Sequence, residues 1–297
     1  MSMRQQLVQT VETVMSTDDR LVLLLGDIGV FGFRNAFKNF PERTYNIGIL
    51  EQATVSLAAG LATIGYIPVV HTIASFLIAR SLEQIKIDFG YQKLCGNFIS
   101  VGASYDYSAL GCTHHCPEDV SLLKTIPGIH VIVPGSDKDF DELFRNTYSG
   151  SNANYFRLAE IGHSLDIPVI FGRGEKVRDG QDGLVIAIGP MLERVIHACV
   201  NIDVTILYYT TLAPFDSELL FSTAKDEKIA IIEPFYEGTM AYDVISSLQG
   251  KSIELLSIGV PRKFLTNYGM VSEQDIFCGL DVLGIKSKLE SFFNGKS

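Results

Sequence analysis

The feature that most restricts this chain is an alternation, kept up almost from end to end, between short continuous apolar runs and longer segments of helical periodicity. LVLLLGD (21–27), TYNI (44–47), PVVHT (68–72), NFISVG (97–102), HVIVPG (130–135) and NYFRL (154–158) read as strands. Residues 3–16, 50–64, 75–90, 116–125 and 137–148 read as the helices between them. A strand that is apolar at successive positions has both faces buried, and with helical crossovers this means a parallel sheet covered on both sides. Charges, Gly and Pro break the rhythm over 159–182. It then resumes with GLVIAIG (183–189), DVTILYY (203–209), KIAIIE (228–233) and IELLSIG (253–259), and with helices beginning near Met191 and Thr239. The expected organisation is an α/β domain over 1–160, a connection over 161–182 and a smaller α/β domain over 183–297.

Bulk properties narrow the class of partner. A formal net charge of −10 argues against nucleic acid or an anionic membrane as the main partner, and an anionic substrate would need a local basic site. Residues 53–79 carry no Asp, Glu, Lys or Arg, a stretch long enough to span a bilayer. Gly60, Gly65, Pro68 and His71 interrupt it, so a buried helix, a turn and a buried strand are expected instead. The five cysteines are odd in number and scattered, which fits a reduced, cytoplasmic chain. The opening MSMRQQLVQTVETV has an amphipathic pattern without an apolar signal core, so no export signal is expected.

The chemistry-bearing residues concentrate in a few places. In TYNIGILEQATVSLAAGLATIGYIPVV (44–70) a strand, a Gly48 turn and a helix start place Glu51 in a first helical turn. Ligands of α/β sheets gather at such points, beyond the carboxyl ends of strands. A first-turn Glu also simply favours the helix macrodipole, and spacing alone leaves both readings open. SALGCTHHCPED (108–119) places two His between Cys112 and Cys116, but no second Cys/His pair occurs to complete a zinc site, and none is expected. GDIGVFG (26–32) follows a strand but lacks the Lys-Ser/Thr and the spacing of a phosphate-binding loop.

Taken together, these segments resemble the transketolase and deoxyxylulose-phosphate synthase family over nearly the whole chain. Gly48-Ile49-Leu50-Glu51-Gln52 followed by Ala58-Ala59-Gly60-Leu61-Ala62 resembles the glutamate motif of its pyrimidine-binding domain. Ser75-Phe76, Arg80 and Glu83-Gln84-Ile85 resemble the next helix. Gly111, Thr113 and His114, with Glu118-Asp119, resemble its substrate loop, and Ile132-Val133-Pro134 the strand that follows. Tyr155-Phe156-Arg157-Leu158 resembles the end of that domain, and Gly183 to Gly189 with Ile258-Gly259 its C-terminal domain. The fold implied is a parallel-sheet, thiamine-diphosphate pyrimidine-binding domain followed by a smaller α/β transketolase C-terminal domain.

The resemblance also implies roles. Glu51 would share a proton with the ring nitrogen of the cofactor's aminopyrimidine, so that its exocyclic amine can act as base on the thiazolium carbon. Phe76 would stack on the pyrimidine and Arg80 belong to the same cofactor site. His114 would hydrogen-bond sugar oxygens at the reacting centre. Arg4 and Arg157 correspond to arginines that bind a terminal phosphate, for which a guanidinium fork is suited. Five positions depart: Ile73 and Ala79 stand where many transketolases carry aromatics, Ala109-Leu110 replaces a Glu-Asp pair, and His115 replaces a Gln.

The Gly-Asp-Gly and Asn run that holds magnesium and diphosphate in this family does not occur, so no metal site is expected in this chain. The resemblance then implies the cofactor-activating half of a split, two-chain enzyme. Its partner would be a diphosphate-binding subunit holding magnesium, with two copies of each chain in a heterotetramer. The reaction implied is transfer of a two-carbon ketol or acyl unit between carbonyl, sugar-type substrates. Decarboxylative acyloin synthesis, as in deoxyxylulose-phosphate synthase, is the alternative enzyme reading. A non-catalytic regulatory subunit and a stand-alone nucleotide-binding α/β protein are the readings from other classes.

Overall fold

The structure is a computed structural model that describes residues 1–225 and 228–295. Helix α1 (Met3–Met15) opens with a reciprocal cap, in which the Ser2 hydroxyl accepts from the Gln5 N–H and the Gln5 side chain accepts from the Ser2 N–H. There follow β1 (Leu21–Leu25), α2 (Arg34–Asn39), β2 (Thr44–Asn46), α3 (Glu51–Thr63) and β3 (Ile67–Ile73). A helical stretch then contains two π-helical segments, Ser75–Ala79 and Ile85–Tyr91, on either side of α4 (Arg80–Gln84). The first domain continues through β4 (Gly96–Val101), α5 (Asp119–Leu123), β5 (His130–Ile132), α6 (Asp137–Thr147) and β6 (Ala153–Arg157).

The remaining elements are β7 (Gly174–Arg178), β8 (Leu184–Ile188), α7 (Leu192–Ala198), β9 (Thr205–Tyr209), β10 (Thr211–Ala213) and α8 (Ser217–Thr223). They are followed by β11 (Lys228–Tyr236), α9 (Ala241–Ser247), β12 (Glu254–Val260), α10 (Val271–Cys278) and α11 (Val282–Asn294). The described residues form a seven-stranded sheet of order β10-β5-β6-β4-β3-β1-β2 and a five-stranded sheet of order β12-β11-β8-β9-β7. Pairing is parallel except at β10 against β5 and at β7 against β9.

Both sheets are covered on two faces, as their continuous apolar strands require. In β1, Leu21, Leu23 and Leu25 join the cluster built with α1 and α6. The intervening Val22 and Leu24 join the one built with Val55, Ala58, Leu77 and Phe89. Each cluster also takes in residues of the second sheet, so the two sheets share their cores. The charge-free stretch 53–79 is divided among α3, a turn at Gly65 (φ 94°), the fully paired β3 and the first π-helical segment. No described helix is long and apolar enough to cross a membrane.

Three local outcomes differ from the pattern reading. The segment read as a connection carries β7, a half-exposed edge strand of sequence GEKVR whose polarity hides it. Strand β10 leaves its own domain to pair with β5 of the first sheet. The helix expected over 116–125 shrinks to α5, because Pro117 has no N–H to give and its carbonyl is taken by the Tyr236 N–H.

Candidate active site

Parallel strands aim their carboxyl ends at one edge of the sheet, and the sequence loads that edge. Beyond β2, the Asn46 carboxamide accepts the Asp27 N–H at 3.0 Å and the Gly48 N–H at 3.1 Å, and donates to the Asp27 carboxylate at 3.2 Å. This clamp ties the end of β1 to the Gly48 turn. Gly48 sits at φ 83° and Asp27 at φ 65°, the left-handed region that Gly and Asp tolerate best. The turn delivers Glu51 as the first residue of α3, with only 5% of the residue exposed.

Around Glu51 the structure assembles four of the expected residues. Glu51 Oε2 accepts from Arg80 Nη1 at 3.1 Å. Its Oε1 is buried and has no hydrogen-bond partner. The Arg80 guanidinium lies over the half-buried Phe76 ring, 3.8 Å from its centroid. Phe76 meets His114 edge-on with centroids 5.1 Å apart. His114 in turn bonds the Thr113 hydroxyl through Nδ1 at 2.9 Å, and the Tyr107 ring lies 6.3 Å away. A kink at Ser81 (φ −120°, ψ 24°) and the π-helical turn before it set where Phe76 and Arg80 point. Such interruptions recur at functional sites because they re-aim side chains.

The two other predicted arginines are kept apart. Arg4, exposed at the start of α1, lines a cavity of about 210 Å³ with Val101, Leu158 and Glu160, on the same carboxyl edge of the sheet. Arg157 faces inward, 1% exposed. Its Nε donates to Asp119 at 2.7 Å, and its Nη2 to Ser104 at 2.7 Å and to the Pro234 carbonyl at 3.3 Å. Asp119, fully buried, also accepts from the Tyr155 hydroxyl at 2.7 Å. The strand-end position expected to open Arg157 to a phosphate instead gives it a buried ion pair with Asp119.

Leu110 ends a 3₁₀ turn and is 54% exposed. Gly111 follows at φ 72°, where glycine is favoured, and it lies close under the Tyr268 ring of the second domain. The two groups that could replace the missing acidic pair are near this loop. Burial pushes the Asp106 carboxyl up to about 7, and its Oδ2 accepts the Glu160 N–H at 3.0 Å. His115 is buried, which pulls its imidazole below the usual range. Cys112 is exposed and Cys116 buried, its N–H given to the Ser104 carbonyl at 2.7 Å.

The sequence gives no role to Asn46 or Asp27, and it places Asp119 in the substrate loop without its buried pairing to Arg157. An Asx residue two before a turn glycine is a signal for the first, since its side chain can cap the turn. The pairing of Asp119 carries no local signal, because its partner stands 38 residues away.

Comparison with known proteins follows this geometry. Residues 1–161 match the family described as transketolase, pyrimidine binding domain. The chain is 36% identical over 287 residues to an uncharacterized 33.6 kDa protein in the fasciation locus of Rhodococcoides fascians, covering 95% of this chain and 92% of that one. It is 28% identical over 289 residues to an apulose-4-phosphate transketolase subunit of Phocaeicola vulgatus, covering 93% and 90%. Among solved structures, a split gene transketolase described as an inactive beta4 tetramer superposes with a TM-score of 0.86 at 23% identity, covering 100% of this chain and 99% of that one.

Proposed function

The chain belongs to the transketolase family, matched through its pyrimidine-binding domain, and from that premise we propose that it is the cofactor-activating subunit of a two-chain, thiamine-diphosphate-dependent enzyme. The observation that carries the proposal is the state of Glu51: a buried carboxyl with one oxygen held by Arg80 and the other without any partner. A buried acceptor left unpaired costs roughly 1–3 kcal/mol, which a donor bound there would recover.

The residues fit the pyrimidine end of that cofactor. Glu51 Oε1, buried and unpaired, would share a proton with a ring nitrogen, and half-buried Phe76, which carries the Arg80 guanidinium, would supply aromatic surface. When bound, thiamine diphosphate supplies a nucleophilic thiazolium carbon and an electron sink for a two-carbon ketol or acyl unit. Arg80 fixes the Glu51 carboxyl by holding Oε2, which leaves Oε1 as the proton-sharing atom. His114, steadied by Phe76 and Thr113, stands ready to donate to a substrate oxygen. Arg4 is the cation on this edge suited to a substrate phosphate.

The metal and the diphosphate are assigned to a partner subunit, with two copies of each chain. A relative of similar length supports this: the Phocaeicola vulgatus protein is itself named as one subunit of its enzyme and matches this chain almost end to end. Tyr45, Ile49, Leu50 and Leu57 flank Glu51 as exposed apolar residues, and a subunit seated there would bury them. Substrates are assigned to the phosphorylated, sugar-type carbonyl class.

Glu51→Gln in the two-chain complex tests the reading directly. The amide keeps the volume but cannot share a proton as a carboxyl does. Hydrogen–deuterium exchange at the thiazolium carbon should slow about 10²–10⁴-fold. Exchange at the wild-type rate would leave Glu51 as a first-turn structural residue and end the proposal.

A further inference from the structure

At the opposite edge of the first sheet, where β4 begins at Gly96 and β6 at Ala153, the structure holds a groove of about 700 Å³. It shares no residue with the Glu51 cluster. Phe89, Leu94, Ile126 and Ile129 line it, and Ile87 and Tyr91 stand at its rim, 45% and 84% exposed. Its volume falls in the range of small-molecule sites, about 300–1,000 Å³.

The charges at this groove are one-sided. Lys86 and Lys93 line it, and no Asp or Glu does. Among the described residues neither lysine has an ion-pair or hydrogen-bond partner, although the chain carries a net charge of −10. The Ser151 and Asn152 side chains are already engaged: Asn152 donates to the Gly128 carbonyl at 2.7 Å, and the Ser151 hydroxyl donates to Asn152 at 2.9 Å. Lys93 also occupies a left-handed position, φ 54°, in the turn where the Leu94 N–H returns to the Phe89 carbonyl at 3.1 Å. Glycine is the unstrained residue for such a turn, so lysine there carries a backbone cost.

We propose that this groove binds an amphiphilic organic anion: an apolar body seated on Phe89, Ile126 and Ile129, with a single carboxylate or phosphate head between Lys86 and Lys93. An apolar floor with a few convergent polar groups is the usual composition of a ligand site. The two uncompensated cations select the sign of the head. The groove needs neither the partner subunit nor the cofactor, so it stands independently of the function proposed above.

The full chain can be titrated with octanoate, octyl phosphate and their neutral analogue 1-octanol, following methyl resonances and heat. At least one of the two anions should bind saturably, with a dissociation constant on the order of 0.1–1 mM. The responding methyls should be Ile87, Leu94, Ile126 and Ile129. Octanol should bind about threefold to tenfold more weakly, the gain expected from two solvent-facing charge contacts. Lys86→Gln with Lys93→Gln should bring the anion down to the level of octanol and leave the melting temperature and octanol binding unchanged. The proposal is overturned if neither anion saturates by about 10 mM, if the shifts lie elsewhere, or if anion and alcohol bind equally. It is also overturned if the chain self-associates through this face and Ile87→Glu abolishes that association, since the groove is then a contact between copies.

Discussion

Two carboxylate–arginine pairs of the first domain, Asp119–Arg157 and Glu51–Arg80, differ in how completely they are satisfied. Asp119 and Arg157 meet at 2.7 Å with side chains 0% and 1% exposed; Glu51 and Arg80 meet at 3.1 Å with side chains 4% and 45% exposed. In the first pair both carboxylate oxygens have partners and the guanidinium makes three hydrogen bonds. Asp119 accepts from Arg157, from Tyr155 and from the Val120 N–H, and Arg157 reaches across to the Pro234 carbonyl of the second domain. In the second, half the carboxylate has no partner and the guanidinium lies in the open on a phenyl ring. A buried pair with both carboxylate oxygens taken ties the structure together. A buried carboxyl with one oxygen idle is a site awaiting a ligand.

The largest effect that can break this contrast is on stability. Asp119→Ala leaves the Arg157 guanidinium buried without its counter-ion, which should cost about 3–5 kcal/mol in denaturant unfolding. Glu51→Gln replaces a side chain that already has an open side, so its effect on stability should stay within about 1 kcal/mol while exchange activity collapses. Should Arg157→Ala fold with normal stability and lose affinity only for phosphorylated substrates, the arginine faces a ligand after all and the contrast is void.

The same contrast shows which parts of this molecule could be read from its sequence. The strands were legible because each is apolar at successive positions, and β1 and β8 are buried throughout. Glu51, Phe76, Arg80 and His114 were reached through motif resemblance, and the structure brings all four into one contiguous cluster. Arg157 shows what such a reading lacks. Its place at a strand end is local, but its role depends on Asp119, Ser104 and Pro234, which lie 38, 53 and 77 residues away. Strand β10 escaped for the same reason, because its pairing with β5 is a tertiary choice that three residues cannot advertise.

A smaller effect separates the two regions by pH. Burial raises the folded-state pKa of Asp106, beside the Arg157 network, to about 7, against an unperturbed value of 3.8. The folded chain therefore holds this proton through a range in which the unfolded chain has released it. Stability from this group is present at low pH and falls as pH rises from about 4 through about 7. Asp106→Asn cannot ionise and should flatten that decline by on the order of 1–2 kcal/mol, an amount discounted for the group's partial exposure. Unfolding free energies of both proteins between pH 4 and pH 8 give the answer. Parallel curves would show that Asp106 is solvated as an ordinary carboxylate.

The smallest effect sharpens the other side of the comparison. If the Glu51 corner is arranged for a ligand, the groups that aim it should matter to chemistry more than to folding. Asn46 is the best case, since it is exposed, it accepts the N–H groups of Asp27 and Gly48, and it buries nothing whose loss would leave a cavity. Asn46→Ala frees the Gly48 turn and lets the start of α3 drift, and a displacement well under 1 Å at a proton-sharing atom is enough to slow a step about fivefold to tenfold. The stability cost should stay near 1 kcal/mol, as expected of a turn clamp facing water. Asn46→Asp keeps both acceptor contacts but places a second carboxylate against Asp27, so it should recover part of the exchange rate and recover more at high salt, where that repulsion is screened. Exchange at the cofactor carbon, measured beside unfolding free energy for all three proteins, distinguishes the cases. An Asn46→Ala protein that loses stability while its exchange rate holds would make the clamp a scaffold alone, and Glu51 would then owe its position to Arg80 and the helix start.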